Sequence, residues 1–212
     1  LDTRTHMVKF SAFIKRQKDR DDPSGDFARD FIDTFKNPLW AKRSGVKPLD
    51  SETLYGFYKH LPMAAQSDEI IIDVLITLWK EWLKENHIGL RFSSGNKGYV
   101  YFFKIPNQTA FKIGRTTQHP EARKRDVQSE AKTELLTFNW LNIENYDVIE
   151  NELKKAFSPL NYSREWFEID EMHVNEAILL YQKTDPVSNL FREITDKEKF
   201  QARVQDALRE ES

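Results

Sequence analysis

The stretch of sequence that decides the fold is Tyr99-Val100-Tyr101-Phe102-Phe103, followed closely by Phe111-Lys112-Ile113-Gly114-Arg115-Thr116. In both segments apolar residues alternate with the others at a period of two, which is typical of β-strands. Between them, Pro106-Asn107-Gln108 favours a turn, so the two strands are predicted to pair. If the alternate apolar residues of both strands face the core, Tyr101 and Lys112 share the opposite face of the sheet.

Beyond these two strands, the sequence contains both strand-like and helix-like patterns. A third strand is predicted near Leu135 to Leu141, because large apolar residues occupy alternate positions there. Helical spacing and chain breaks predict the remaining elements: helices over 120–130, 146–157 and 171–182, an extended segment over 166–169, and a charged helix near 196–209. Residues 98–184 are therefore predicted to form an α/β module, followed by a helical tail over 185–212.

The N-terminal part of the chain, residues 8–87, is predicted to be all helical. Apolar residues recur there at helical spacing, with helices expected over 51–59 and 67–84 as well as nearer the start. Ser24 is a plausible N-cap for one of these helices, with Asp26 in its first turn. This part is therefore expected to be a helical bundle.

Two further segments complete the organisation of the chain. Residues 88–97 are polar and contain glycine, which favours a linker between the two patterned regions. Residues 1–7 are expected to be a remnant of an expression tag. The predicted fold class is α+β, with an all-helical bundle preceding the α/β module.

Composition limits the possible functions. The 212 residues contain no cysteine, which excludes disulfides, thiolate nucleophiles and cysteine-bound zinc. A formal net charge of -2 argues against a broad positive field, so any nucleic-acid site must be a local patch. The longest apolar stretch, residues 70–76, is too short to span a bilayer, and no secretory signal is recognisable. We therefore expect a cytoplasmic protein without a membrane partner.

Five short motifs follow one another through the module. They are Tyr99-Val100-Tyr101; Lys112 to Thr116; Pro120 to Arg123 with Val127; Glu150 with Leu153 and Phe157; and Glu165-Trp166-Phe167. In this order and spacing, the block from Gly98 to about Ile169 resembles the GIY-YIG nuclease superfamily, and more closely its T5orf172-type branch of phage and bacterial proteins. The resemblance implies a three-stranded antiparallel sheet flanked by helices that cleaves DNA with a divalent metal, usually Mg²⁺, with Mn²⁺ as the alternative.

The resemblance also assigns residues. Tyr101 falls at the first-motif tyrosine, Arg123 at the helical arginine, and Glu150 at the metal-binding glutamate. Lys112 stands where the second motif usually has tyrosine, and lysine there is common in this branch. Lys154 replaces a histidine that often lies four residues after the glutamate, so cleavage would proceed without that histidine.

Phosphodiester cleavage requires an activated water and stabilisation of the charge on the phosphoryl and leaving oxygens. We expect the Lys112 ammonium to favour the phenolate of Tyr101, which would then act as general base. Arg123 can donate two parallel hydrogen bonds to a phosphate, and Glu150 would hold the metal ion. Helical spacing predicts that Arg123 and Glu150 both point to the sheet face that carries Tyr101 and Lys112.

Each of these four residues also has a structural explanation. Tyr101 could cover one face of the sheet, and Lys112 could be a solvated strand lysine. Arg123 could form a structural ion pair, and Glu150 could border an apolar stripe with a partner of its own. The convergence of the four groups favours the functional reading.

Other residues are predicted to assist. The supporting set is Tyr99, Gly114, His119, Glu165 and Trp166, and the candidates for contact with the DNA backbone are Arg115, Lys124, Arg125 and Lys155. The basic residues could equally be solvated surface. The sequence therefore predicts a metal-dependent DNA endonuclease, with a catalytically weak or inactive DNA-binding module as the alternative.

The helical half carries a resemblance of its own. The segment from Phe10 to Asp30, together with Trp79, resembles the small YozE-like domains of sterile-alpha-motif-like fold. That resemblance implies a helical domain for interaction, and hence a possible protein partner, and it carries no activity.

Overall fold

The computed structural model describes residues 8–35, 49–50, 52–86 and 97–185. Most of the predicted linker, the expected tag remnant and the helix predicted near 196–209 lie outside the described residues. The helices are α1 (Phe10–Arg16), α2 (Pro23–Phe35), α3 (Leu54–His60), α4 (Met63–Gln66), α5 (Glu69–Glu85), α6 (Pro120–Ala131), α7 (Tyr146–Ala156) and α8 (Glu171–Gln182). The strands are β1 (Lys97–Lys104), β2 (Ala110–Thr116), β3 (Leu136–Glu144), β4 (Asn161–Ser163) and β5 (Trp166–Glu168).

Helix α2 begins earlier than predicted, because a different residue caps it. Asp22 Oδ1 accepts a hydrogen bond from the backbone N–H of Gly25 at 3.0 Å, and Arg20 holds the same carboxylate at 2.6 Å. Pro23 can open the helix because the first helical residue has no N–H bond to lose. The prediction of Ser24 as the cap is therefore wrong; this serine is buried inside the first turn.

Helix α5 is the long apolar helix of the N-terminal part. Asp68 caps it by accepting from the backbone N–H groups of Ile70 and Ile71 at 2.9 and 3.3 Å. Its buried face consists of Ile72, Leu75, Ile76, Leu78, Trp79 and Trp82. In the described parts of the chain, no helix combines the length and apolar character that a bilayer span requires.

The sheet has five antiparallel strands in the order β3-β1-β2-β5-β4. The predicted three-stranded sheet is its centre, β3-β1-β2, and the expectation of three strands is corrected by the small hairpin of β4 and β5. This hairpin pairs with the first half of β2 only, from Ala110 to Lys112. Strands of three residues are too short to show a periodic pattern, which is why the sequence did not predict the pairing. The backbone N–H of Ile113 still donates to the carbonyl oxygen of Glu165 at 3.1 Å, and beyond Ile113 no described strand pairs with the outer edge of β2.

Both faces of the sheet are covered. The main core packs Val100 and Phe102 of β1 with apolar residues of α7 and α8, whereas Tyr101 and Phe103 form a smaller cluster with Val127 of α6. In the register of β1 and β2, Tyr101 lies opposite Gly114 and Phe103 opposite Lys112. The prediction that Tyr101 and Lys112 share a face is confirmed.

The helical part packs directly on the sheet-containing part. The Tyr55 ring lies 5.4 Å from the Phe157 ring, and the Trp79 ring lies 6.0 Å from the Tyr181 ring. Glu152 of α7 is 7% exposed and accepts hydrogen bonds from the two segments that face it, α3 and α5. Among the described residues, one continuous apolar core runs through both parts.

Candidate active site

Tyr101 is the buried residue around which the site is built. It is 2% exposed, and its ring stacks on Phe103 at a centroid distance of 4.1 Å. Across the strand pair lies Gly114, where a Cβ would come within 2.3 Å of the Tyr101 hydroxyl oxygen. The predicted supporting role of Gly114 thus has a physical basis: only a residue without a side chain lets the tyrosine hydroxyl extend over β2.

Arg123 of α6 makes the predicted approach to the sheet. Its guanidinium is close enough to the Tyr101 hydroxyl to act on the pKa of that group, and it contacts Asp126 Oδ2 at 3.3 Å. Burial raises the pKa of Tyr101, and the nearby Arg123 guanidinium offsets this only in part. Tyr101 therefore keeps its proton at neutral pH.

The predicted activation of Tyr101 by Lys112 needs correction. Lys112 Nζ binds Glu165 Oε2 at 2.6 Å, and the cations that act on the Tyr101 hydroxyl are Arg123 and Lys154. The two residues share a sheet face, but the β4–β5 hairpin brings a carboxylate to the lysine. The Lys112 ammonium is therefore ion-paired with Glu165, and Tyr101 does not become a phenolate.

An alternating chain of charges connects the remaining residues. Its order is Lys112, Glu165, Lys154, Glu150 and Arg115. Lys154 Nζ lies 2.5 Å from Glu150 Oε1 and makes a short hydrogen bond to Glu165 Oε1. Arg115 Nη1 lies 3.7 Å from Glu150 Oε2. We call these five residues the charge chain.

Two members of the charge chain, Lys154 and Glu165, are held in their ionised forms by their partners. Burial by itself would lower the pKa of Lys154, but the carboxylates of Glu150 and Glu165 outweigh it and raise the pKa. Burial by itself would raise the pKa of Glu165, but Lys112 and Lys154 outweigh it and lower the pKa. Lys154, which the sequence marked only as a departure from the family pattern, is the residue that connects the two carboxylates.

Glu150 reaches the site from an unexpected side. It belongs to α7, which packs on the core face of the sheet, opposite the face that carries Tyr101. The prediction of four groups on one face is therefore wrong for Glu150. Glu150 contacts Arg115 near the end of β2, so its carboxylate lies at the edge of this strand. Lys154 joins Glu150 to Glu165, and both Lys154 and Glu165 act on the Tyr101 hydroxyl.

The aromatic residues near the site form a second group. The His119 ring, at the start of α6, lies 5.8 Å from Tyr99 and 5.3 Å from Trp140. Trp140 is the cross-strand neighbour of Tyr101 and is 36% exposed. The alternating pattern of β3 predicted Trp140 as one of its apolar residues. The irregular register between β1 and β3 is what turns the Trp140 side chain outward. Trp166 packs against the Tyr101 cluster, as its supporting role predicts.

The four basic residues predicted to contact DNA occupy different places. Arg115 belongs to the charge chain, and Lys124 pairs with Glu121 at 2.6 Å on α6. Arg125 is exposed on the same helix. Lys155 acts on Glu152, between the two parts of the molecule, and so lies away from the charge chain. The structure brings one of the four, Arg115, to Glu150.

The residues present fit a divalent cation that is held by few protein ligands. Among the described residues, no three His, Cys, Asp or Glu side chains cluster as a metal site would require. Mg²⁺, however, is commonly bound through one or two carboxylates, with water and phosphate completing its octahedron. Glu150 and Glu165 provide such oxygens, and they converge on one position, the Nζ of Lys154.

The comparison with protein families concerns the sheet-containing part of the chain. Residues 98–182 match the family model of the T5orf172 domain. The chain contains a T5orf172 domain. This domain comprises all five strands and helices α6 to α8, so both the Tyr101–Arg123 pair and the charge chain lie within it. No curated protein and no solved structure matches the chain.

Proposed function

We propose that the T5orf172 domain is a divalent-metal-dependent DNA endonuclease of GIY-YIG type, which hydrolyses phosphodiester bonds in the cytoplasm. One observation carries the proposal. Lys154 and Glu165 act on the Tyr101 hydroxyl together with Arg123, and Lys154 in turn contacts Glu150, a carboxylate that is 5% exposed. A buried carboxylate next to several cations is costly as a mere structural feature and suits a site that handles charge.

The charges of the site favour an anionic substrate. Of its four cations, Lys112, Arg115, Arg123 and Lys154, the most exposed are Arg115 and Arg123, with side chains 46% and 35% exposed. The whole chain carries a formal charge of -2, so this patch is local. A phosphate of DNA would be attracted to it, and the planar fork of Arg123 suits two phosphate oxygens.

Hydrolysis forms a bond between a water oxygen and phosphorus and breaks one P–O bond to the sugar, whose oxygen then takes up a proton. Because Tyr101 keeps its proton, its hydroxyl serves as a hydrogen-bond donor that orients the water or a phosphoryl oxygen. Arg123 fixes the tyrosine and balances the charge that grows on the phosphoryl group. Glu150 would hold Mg²⁺ or Mn²⁺, which supplies further stabilisation of the negative charge.

Cleavage of supercoiled plasmid and of labelled duplex and branched oligonucleotides, with Mg²⁺ or Mn²⁺, tests the proposal. We expect the wild type to cut and Glu150→Gln and Arg123→Ala to lose about 100-fold or more in rate. Glu144→Gln, an exposed carboxylate at the end of β3, is the matched control and should cut normally. A wild type that binds DNA but cuts none of these substrates with either metal would exclude an endonuclease.

The alternative is a DNA-binding module of the same fold with little or no nuclease activity. The observation that favours it is the ion pair of Lys154 with Glu150, because it occupies an oxygen that a metal ligand needs. For such a module we expect the same DNA affinity in EDTA and in Mg²⁺, and no cleavage. The helical part, as a YozE-like interaction domain, would recruit a protein partner in either case.

A further inference from the structure

Lys154 lies where two carboxylates of the charge chain, Glu150 and Glu165, meet. Its Nζ contacts Glu150 Oε1 at 2.5 Å and makes a hydrogen bond to Glu165 Oε1. The Lys154 side chain is 23% exposed, while that of Glu150 is 7% exposed. The ammonium therefore lies between one oxygen of the buried Glu150 and one oxygen of the more exposed Glu165.

From this geometry we propose that Glu165 is a second carboxylate ligand of the metal site and that the Lys154 ammonium is a resident cation which the metal displaces. The proposal rests on the metal site of the proposed function and adds two residues to that site, Glu165 and Lys154. In the resemblance, Glu150 alone holds the metal, and position 154 is a departure with no assigned role.

The spacing of the oxygens permits the exchange. Since both oxygens lie within hydrogen-bond distance of one nitrogen, they are at most about 5 Å apart, and a Mg²⁺ ion that binds both at about 2.1 Å needs only a small closure. The ammonium and the metal ion cannot occupy this position together. Binding of the metal therefore includes the cost of breaking both ion pairs of Lys154.

The other oxygen of each carboxylate keeps its partner during the exchange. Lys112 binds Glu165 Oε2 at 2.6 Å, and Arg115 lies 3.7 Å from Glu150 Oε2. Both carboxylates are thus held in place after Lys154 leaves. A variant without the ammonium should present a preformed site with a higher metal affinity than the wild type, because nothing has to be displaced.

Binding of Mn²⁺ to the full chain without DNA tests this, by titration calorimetry and by loss of the free-ion signal in electron paramagnetic resonance. We expect Lys154→Met to bind Mn²⁺ about 10-fold or more tightly than the wild type. Adding Glu165→Gln to Lys154→Met should remove most of that gain. Lys155→Met, which removes the neighbouring lysine, is the control and should bind like the wild type.

Two results would overturn the inference: a Lys154→Met protein that binds Mn²⁺ no more tightly than the wild type, or a double variant that keeps the full gain. Should Lys154→Met fail to fold, as judged by circular dichroism, Lys154→Gln replaces it with the same expectations. Because no DNA is present, the outcome is independent of cleavage. A protein that gains affinity as expected but never cuts loses the proposed nuclease function and keeps this metal site.

Discussion

Glu150 and Glu152 lie two residues apart on α7, and both are buried, at 5% and 7% exposure. Their surroundings are opposite in kind. Glu150 contacts an ammonium and a guanidinium, whereas Glu152 accepts from the backbone N–H of Leu54 at 3.0 Å and from the indole N–H of Trp79 at 3.2 Å. The comparison teaches that burial alone does not set the environment of a carboxylate; two equally buried ones can have charged partners or neutral N–H donors.

The helix separates the two by its geometry. Successive residues of an α-helix are rotated by about 100°, so side chains two positions apart point to nearly opposite sides. Glu150 is thereby directed to the edge of β2 and Glu152 to helices α3 and α5. Burial raises the pKa of Glu152 to about 7, because its effect outweighs that of the N–H donors of Leu54 and Trp79, which lower the pKa.

The sharpest test exchanges each carboxylate for its amide. Glu150→Gln should reduce the proposed DNA cleavage by about 100-fold or more while Glu152→Gln changes the rate less than about threefold, since only the former loses the charge that we propose holds a metal ion. Rates are measured on one plasmid substrate at a single Mg²⁺ concentration. Equal losses in the two variants would mean that the site depends on the whole of α7.

Stability should depend on pH through Glu152. Its pKa is about 7 when folded and about 4.5 when unfolded, so the folded state binds the additional proton between these values. The free energy of unfolding is therefore expected to fall as the pH rises from about 4.5 to about 7, by about 3 kcal/mol at most.

Urea denaturation of the full chain at intervals between pH 4.5 and pH 8 measures this dependence. The same titration on Glu152→Gln isolates the contribution of the carboxyl group, because the amide does not titrate. The interpretation fails if the two proteins show parallel profiles across this range.

Removing the Glu152 carboxylate altogether should destabilise the contact between the helical part and the sheet-containing part. Glu152→Ala leaves the N–H groups of Leu54 and Trp79 buried without a partner, which we expect to cost about 2 kcal/mol. Glu152→Gln keeps an acceptor oxygen and should cost less. Both are compared with the wild type by urea denaturation at pH 6, and an alanine variant as stable as the wild type would argue against these bonds.

The smallest effect is expected at the rim of the same contact. Lys59 Nζ binds Glu176 at 2.8 Å, and the two side chains are 22% and 27% exposed. Such a partly solvated pair contributes about 0.5 kcal/mol, so Lys59→Met should shift the urea midpoint only slightly. Raising the salt concentration should reduce the difference from the wild type, and a loss above about 2 kcal/mol would show that the pair is more important than its exposure indicates.

The local pattern of the sequence predicted most of the elements. Helix α8 has the bounds that its apolar spacing indicated, from Glu171 to Gln182, and β1, β2, α6 and α7 lie where predicted. These elements are long enough for a period to show. Strand β5 lies within the extended segment predicted over 166–169, but its pairing and the strand β4 were missed because each rests on only three residues. The cap at Asp22 was misplaced because it depends on a single carboxylate held by the neighbouring Arg20.

The sequence by itself determined the alternation that puts Tyr101 and Lys112 on one sheet face, and the motif order that indicated a T5orf172 domain, because both depend on neighbours along the chain. Tertiary structure alone decided what each charged group meets. Glu165 binds Lys112 across 53 positions, and Glu152 binds Leu54 across 98. Partners so distant are fixed by packing, and a buried charge takes its protonation state from those partners.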